Sequence, residues 1–434
     1  MSYIFKKYFR NFKNTLALIK FYLYICMVFK NERPMRQTFL GQKDNKNTIL
    51  KKTILRLCIK DGEYSIADLS NKLNTSVPTV TKLLSELIEE GFIVDLGKQG
   101  TSGGRRPSIY GLNPDAGLFA GIDIGHHHIH MAITDFKGNI IRYKDDIPFT
   151  MEPKEECVHA IGRSLKAFFI EESLDWGRVL GCGISLTGRV NPTIGYSYSY
   201  SMDEDHPLDR LFEEDLGVPV NIENDSRAMT YGEYIGGAHK KERDMLFINV
   251  NWGLGMGMIL DGKLYYGKSG FSGEIGHFPL LDNDTICRCG KVGCLETGAS
   301  GSALHRKILQ QLAAGRASSL SAKYRTTGDI SLDDIFAAIK EEDVLAIEVV
   351  EEIGATLGRG LAGLINVFNP ELVVIGGKLA MAGDYLMLPL RSNVKKLAQN
   401  IVNRDTSIKF TKLGRQAACV GDCMLSRSKL LGVL

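Results

Sequence analysis

Apolar positions follow two regimes along this chain. Between residues 46 and 94 they recur every three to four positions, the period of amphipathic helices; from residue 118 onward many gather in short runs that end in glycine turns, the mark of strands. Ile49, Leu50, Ile54, Leu57 and Cys58 predict a helix over Lys46–Lys60, stopped by Asp61-Gly62. Ser65 with Asp68 three positions on resembles a capping box, opening a second helix whose buried stripe is Ile66, Leu69 and Leu73. Asn74, Thr75 and Ser76 break that pattern, and Pro78 fits the first turn of a third helix with Val80, Leu83, Leu84, Leu87 and Ile88 on its apolar face.

Two short helices across a tight turn suggest helix-turn-helix. The exposed N-terminal positions of the third helix, Thr79, Thr81 and Lys82, are short polar or cationic side chains of the kind that reach base edges and phosphates in a major groove. Taken alone, such residues describe a solvated helix face. Phe92-Ile93-Val94 then reads as a strand, GKQGTSGGRRP (97–107) as a glycine-rich turn carrying Arg105 and Arg106, and Ser108-Ile109-Tyr110 as the returning strand. This is a wing, and it turns the balance toward DNA binding over residues 46–112.

Charge supports that placement. The formal net charge is +3, yet residues 1–34 hold seven Lys/Arg against Glu32 alone, so the remainder is slightly acidic. Residues 35–112 carry 12 Lys/Arg against 8 Asp/Glu, whereas residues 113–434 are net negative. The 434 residues suggest roughly two to four domains. A hydrophobic share of 44% excludes a disordered chain. Leu16–Phe29 is apolar except for Lys20 and shorter than the ~20 residues that a membrane helix needs. Residues 1–45 are therefore read as an N-terminal extension with Met35 as a candidate start, the location as cytoplasmic, and no membrane partner is expected.

Residues 113–434 form a larger unit. Phe119–Gly125 is a strand entering a glycine turn, with a return strand from Ile129 to Asp135 and a hairpin turn at Lys137-Gly138-Asn139. Asn251–Gly257 reads as a second glycine-rich turn, followed by a strand over Met258–Leu260 and another turn at Asp261-Gly262-Lys263. Two similar hairpins far apart imply two related halves. His277, Cys287, Cys289 and Cys294 offer one imidazole and three thiolates, the soft donor set that tetrahedral structural zinc prefers. Gly290 and Gly293 let the chain fold back around the ion. Cys419 and Cys423, spaced i, i+4, read as core thiols.

The motifs resemble the ROK family (repressors, open reading frames and kinases), in its regulator branch with a winged helix fused to a ROK domain. They are the wing, AGIDIG, IENDSRA (222–228), GKSGFSGEIGHFPL running to ICRCGKVGCLE (267–296), and NPELVVIGG (369–377). The resemblance implies an α/β, actin/hexokinase-like bilobed fold with ribonuclease H-like halves, closing over a sugar. It implies sugar contacts at Asn224, Asp225, Glu274, His277 and Glu296, with Gly188 in the lining turn. His277 would contact the sugar with one nitrogen and zinc with the other. Asp225 stands where the kinases of the family keep their catalytic base.

The phosphate-binding turns depart from the kinase pattern. After Asp123 and Gly125 the chain has His126, His127 and His128 where kinases place a small residue and Thr; Trp252 precedes Gly253 and Gly255 where kinases place Thr. Phosphoryl transfer depends on positioning and charge neutralisation, so ATP and Mg²⁺ are not expected as cofactors and Asp225 is expected to bind sugar without acting as a base. The expected function is a repressor that binds operator DNA and a sugar or sugar-phosphate effector, as a homodimer or homotetramer. The rival is a hexose or N-acetylhexosamine kinase. A ligand closing the lobes would pull on the Glu296 loop through His277 and the zinc, and so move the winged helices.

Overall fold

The computed structural model describes residues 40, 45–98, 107–202, 206–237 and 242–433. Met35, the apolar run Leu16–Phe29, and Arg105 and Arg106 of the wing lie outside the described residues. The chain opens with α1 (Lys46–Asp61), β1 (Tyr64–Ser65), α2 (Ile66–Leu73), α3 (Val77–Glu89), β2 (Ile93–Lys98) and β3 (Ser108–Leu112). Ser65 and Asp68 form the capping box that starts α2, and Pro78 stands in the first turn of α3. β3 pairs antiparallel with β2 on one side and β1 on the other. At two residues, β1 is too short to leave an alternation in the sequence.

Helix phase differs from the reading above. Ile49 of α1 is 48% exposed and Ile88 of α3 is 39% exposed, while Thr48, Lys51, Leu55 and Ile59 face inward with Ile54 and Cys58. Lys51 makes this possible, because its stem lies in the core while its ammonium pairs with Glu86 at 2.9 Å and Glu90 at 2.7 Å across the α1/α3 contact. A lysine counted as polar conceals a buried position.

The larger unit repeats one topology twice. β4 (Leu118–Ile124), β5 (His128–Asp135) and β6 (Ile140–Pro148) form an antiparallel meander. After α4 (Glu155–Glu171), β7 (Val179–Leu186) joins parallel to β4; after β8 (Val190–Asn191), β9 (Tyr196–Ser197) and α5 (Leu208–Leu216), β10 (Val220–Asn224) joins parallel to β7. α6 (Asp225–Gly236) leads into β11 (Met245–Val250), β12 (Leu254–Leu260) and β13 (Lys263–Leu264), again an antiparallel meander. α7 (Glu296–Ala299), α8 (Gly301–Ala313), α9 (Ser321–Thr327), α10 (Leu332–Lys340) and α11 (Val344–Phe368) precede β14 (Leu372–Gly376), parallel to β11. α12 (Asp384–Leu397) and α13 (Asn400–Asp405) precede β15 (Ser407–Phe410), parallel to β14, and α14 (Ala417–Leu430) closes the fold. The sheet orders β10-β7-β4-β5-β6 and β13-β12-β11-β14-β15 are the same arrangement.

The last helix of each half packs across the boundary. α6 lies against β11 and β12 of the second sheet, and α14 returns to β4 and β7 of the first and to α6. This packing corrects one reading. Gly255 and Gly257 belong to β12 and not to a turn, which is confined to Asn251–Gly253. A Cβ at Gly257 would stand 2.0 Å from Thr230 Oγ1 of α6, so that glycine permits close helix-on-sheet approach.

The winged helix shares a core with the first lobe: Ile54, Leu84 and Phe92 cluster with Phe119, Phe136, Leu425 and Leu431. Cys419 and Cys423 are fully buried, as expected of core thiols. Among the described residues, no helix is long and apolar enough to cross a membrane.

Gly257→Ala is expected to destabilise the protein by ~1–3 kcal/mol through overpacking. Gly363→Ala, within α11 where an added Cβ meets nothing within 4 Å, is expected to be neutral or to stabilise. Urea unfolding of the two variants beside wild type checks both.

Candidate functional site

The ends of β4, β7 and β10 and the turn before β12 face a cleft of about 1540 Å³ between the lobes. Gly188, Asn224, Asp225, Glu274 and His277 line it, together with both glycine turns, including Asp123, Gly125, His127, Trp252, Gly253 and Gly255. The sequence-derived sugar positions therefore converge on one cavity, with the exception of Glu296. That side chain is buried behind the lining, where Oε2 accepts the Leu254 N–H at 3.0 Å and Oε1 lies 3.2 Å from Arg288 Nε. Arg288 lines the cleft in front of it. Its place between two cysteines of the candidate metal loop was the signal in the sequence, and the cysteines drew the attention.

Asn224 and Asp225 sit at the junction of β10 and α6. Asn224 caps the helix, its Oδ1 accepting from the N–H groups of Ser226 and Arg227, while its amide donates to the Gly188 carbonyl and to Asp225 Oδ1, both at 2.9 Å. All its hydrogen-bonding positions are thus used within the protein, so its place in the cleft is to hold the Gly188 turn beside Asp225. Asp225 Oδ1 also accepts from the Ser226 N–H at 2.7 Å. Burial pushes the Asp225 carboxyl up, against the pull of the Ser226 N–H. Asp123 is pushed up to about 7, by burial first and by the Asp225 charge second. Ser185, which carries no motif, joins Asp123 (3.2 Å) to Asp422 of α14 (2.7 Å).

The candidate metal ligands come together as the spacing predicted. Ligand atoms of His277, Cys287, Cys289 and Cys294 all lie within 4.8 Å of one another. Gly290 and Gly293 take positive φ of 84° and 76° where the loop folds back. His277 Nδ1 is 3.6 Å from the Cys287 sulfur, and its Nε2 is 3.6 Å from Glu274 Oε2 on the cleft side. One ring thus faces the thiols with one nitrogen and the cleft with the other. Burial pushes the Cys287 thiol up to about 12, and the Lys291 N–H pulls that of Cys289 down. A thiolate at Cys287 therefore calls for a cation beside it, and the four donors fit a tetrahedral soft-metal site.

His126, His127 and His128 are exposed at the first glycine turn. Trp252 at the second is 44% exposed, its ring centre 5.4 Å from that of His305. Far from the cleft, Thr81 and Lys82 are exposed near the start of α3 and Thr79 is half-buried; Thr81 returns its hydroxyl to the Val77 carbonyl at 2.9 Å.

With this geometry, the relationships of the chain are clear. Residues 48–94 match a winged helix-turn-helix DNA-binding family and residues 119–429 match the ROK family. The chain belongs to the ROK family. It is 29% identical to the xylose repressor of Caldicellulosiruptor bescii, over 90% of this chain and 98% of that protein. A solved ROK family transcriptional regulator, described as a homolog of the E. coli MLC protein, shares 26% identity at a TM-score of 0.75, covering 89% of this chain and 97% of its own. A ROK family glucokinase from Streptomyces griseus, in complex with glucose and AMPPNP, shares 28% identity at a TM-score of 0.60, covering 72% and 100%. The bilobed α/β fold behind a winged helix is that of the ROK regulators.

Asp123 sets a pH dependence whose sign follows from its raised pKa. The folded chain holds this proton up to about pH 7 and the unfolded chain releases it near the ordinary carboxyl value of 3.8, so stability falls as pH rises between the two. Asp123→Asn is expected to raise the melting temperature relative to wild type at pH 8, and by less at pH 5. Thermal melts of both proteins at the two pH values check it.

Proposed function

We propose that this protein is a sugar-responsive transcriptional repressor of carbohydrate uptake or catabolism genes. The observation that carries the reading is the disposition of α3: its apolar face is buried in the core shared with the ROK domain, while Lys82, 71% exposed at its side chain, and Thr81 point outward near the helix N-terminus. That is the face a helix offers to a major groove, with Arg105 and Arg106 of the wing as candidates for a minor groove or phosphates. The name of the xylose repressor and the glucose in the neighbouring glucokinase support a sugar in the cleft, at Asp225, Glu274 and His277. A single winged helix reads a short half-site, so the working form is a homodimer or homotetramer on a pseudo-palindrome, in the cytoplasm where the operator is.

Structural zinc is the proposed metal, held by His277, Cys287, Cys289 and Cys294. Bound there, zinc would hold the loop through four protein ligands. His277, with Nδ1 toward the thiols, would carry its single N–H on Nε2, facing Glu274 or a sugar hydroxyl. One zinc per chain is expected on elemental analysis, and Cys289→Ser should abolish it and lower the melting temperature. A native melting temperature in metal-free protein would count against the site.

The rival reading, a hexose or N-acetylhexosamine kinase with Asp225 as base, has one favourable observation: the cleft continues past the glycine turns to Gly377, Lys378 and Met381. Against it stand Trp252 and the three histidines in place of hydroxyl residues at both turns. A coupled assay with ATP and glucose, xylose or N-acetylglucosamine should register no turnover; useful rates would favour the kinase.

Binding to genomic DNA fragments, with and without those sugars and their phosphates, tests the repressor reading. Lys82→Ala should weaken binding to all sequences and reduce the slope of log affinity against log salt by about one unit, whereas Thr79 and Thr81 variants should change site preference. Wild-type binding in all three variants would move the DNA interface elsewhere.

A further inference from the structure

Among the described residues, the winged helix and the loop of the candidate metal ligands pack into separate cores. The apolar residues of the winged helix share a core with Phe136, Leu425 and Leu431. Ile275 and Leu295, adjoining the metal ligands, belong to the core of the second lobe. Among the described residues, the two therefore belong to separate apolar cores, and a signal passing from sugar through His277 and zinc, as the sequence suggested, would need a further element to reach the winged helix.

Helix α14 has contacts at both ends. Just before it, Arg415 lines the cleft and bridges the lobes, with Nη1 2.7 Å from Asp146 of β6 and Nη2 3.9 Å from Asp333 of α10. Glu233, fully buried on α6, accepts from the Lys412 N–H at 2.9 Å, the Leu413 N–H at 3.2 Å and the Thr411 hydroxyl at 2.6 Å, which fixes the approach to the helix. Within the helix, Asp422 is fully buried and reaches the cleft carboxyl Asp123 through Ser185. A hydroxyl has one proton and cannot donate to two carboxylates at once; burial pushes the Asp422 carboxyl well up, in the direction of the neutral form that can donate to Ser185 Oγ.

The other end meets the winged helix. Arg427 donates to the carbonyls of Phe136 (3.0 Å) and Lys137 (2.7 Å) in the β5–β6 turn. The Phe136 ring lies 5.4 Å from that of Phe92, which precedes β2. Leu431 is fully buried, and its carbonyl accepts from Arg56 Nε of α1 at 2.9 Å. The helix between is 14 residues, about 21 Å of stiff rod at 1.5 Å per residue.

We infer that α14 carries the liganded state of the cleft to the winged helix, with Arg415 and Asp422 as its contacts to the cleft and Leu431 with Arg56 as its joint to the DNA-binding unit. The inference rests on the reading of the cleft as an effector site. Lobe closure moves Asp333 relative to Asp146 and so acts on Arg415 at the head of the helix. The helix body is buried among β4, β7 and α6, where close packing transmits a displacement instead of absorbing it. Arg56 and Leu431 are thus positioning residues that touch neither sugar nor DNA.

The test measures coupling in the full-length protein. Operator affinity is determined with and without saturating xylose or glucose, and the affinity for the same sugar with and without operator. In wild type the two ratios should agree, at about 5- to 150-fold, and in Arg56→Ala they should fall below about twofold while each affinity alone stays within about threefold of wild type. Asp422→Asn keeps a neutral donor beside Ser185 and should retain the ratio; Asp422→Ala should lose it. An unchanged ratio in both Arg56→Ala and Leu431→Ala would overturn the inference and leave the repressor reading intact. A wild type that binds both partners with a ratio of one would also overturn it. A wild type that binds neither sugar nor DNA would overturn the repressor reading together with it.

Discussion

The burial of α14 is the constraint on which the rest of this structure depends. Each half of the ROK domain builds one five-stranded sheet, and neither half keeps its last helix to itself: α6 lies on the second sheet and α14 on the first, the two helices packing on each other. That exchange makes the lobes one body with a cleft between them. It also demands small residues wherever helix meets strand, as at Gly257 against Thr230. The winged helix then closes over the far end of α14, where Leu431 would otherwise be exposed.

The cleft follows from the same arrangement. The ends of β4, β7 and β10 point their turns into the space between the lobes, so Asp123, Gly188 and Asp225 meet although up to about a hundred residues separate them. Burial at the sheet end raises the proton affinity of both Asp123 and Asp225, and at Asp123 the Asp225 charge adds to it. The loop of the candidate metal ligands forms a second wall. His277 sets it beside Glu274, and Arg288 covers Glu296, so one potential sugar carboxylate is already paired with a cation from within the protein.

Local chemistry was legible where its partners lie close in sequence. The capping box of α2, Pro78 in α3, the hairpin turns and the four-residue Cys/His cluster each involve residues whose meeting is nearly forced by short spacing. Helix phase was less so, because Lys51 could be counted as buried only once Glu86 and Glu90 were known to face it. Gly255 and Gly257 were misread as turn residues for a similar reason: a glycine that makes room for a helix 25 to 30 residues upstream is indistinguishable, in sequence, from one that makes a turn.

The sequence by itself determined the family, the two related halves, the winged helix and the Cys/His donor set of the candidate metal site, since each is written in contiguous motifs with their own backbone or ligand requirements. Only the tertiary structure decided that Glu296 sits behind Arg288, that Asn224 spends its hydrogen bonds on the Gly188 turn, and that Asp422 and Leu431 place one helix between cleft and DNA-binding unit. The physical reason is distance along the chain. Ser185 and Asp422 are 237 positions apart, and Arg56 and Leu431 are 375 apart. No local propensity links such residues; their contacts exist because α14 must be buried from both sides.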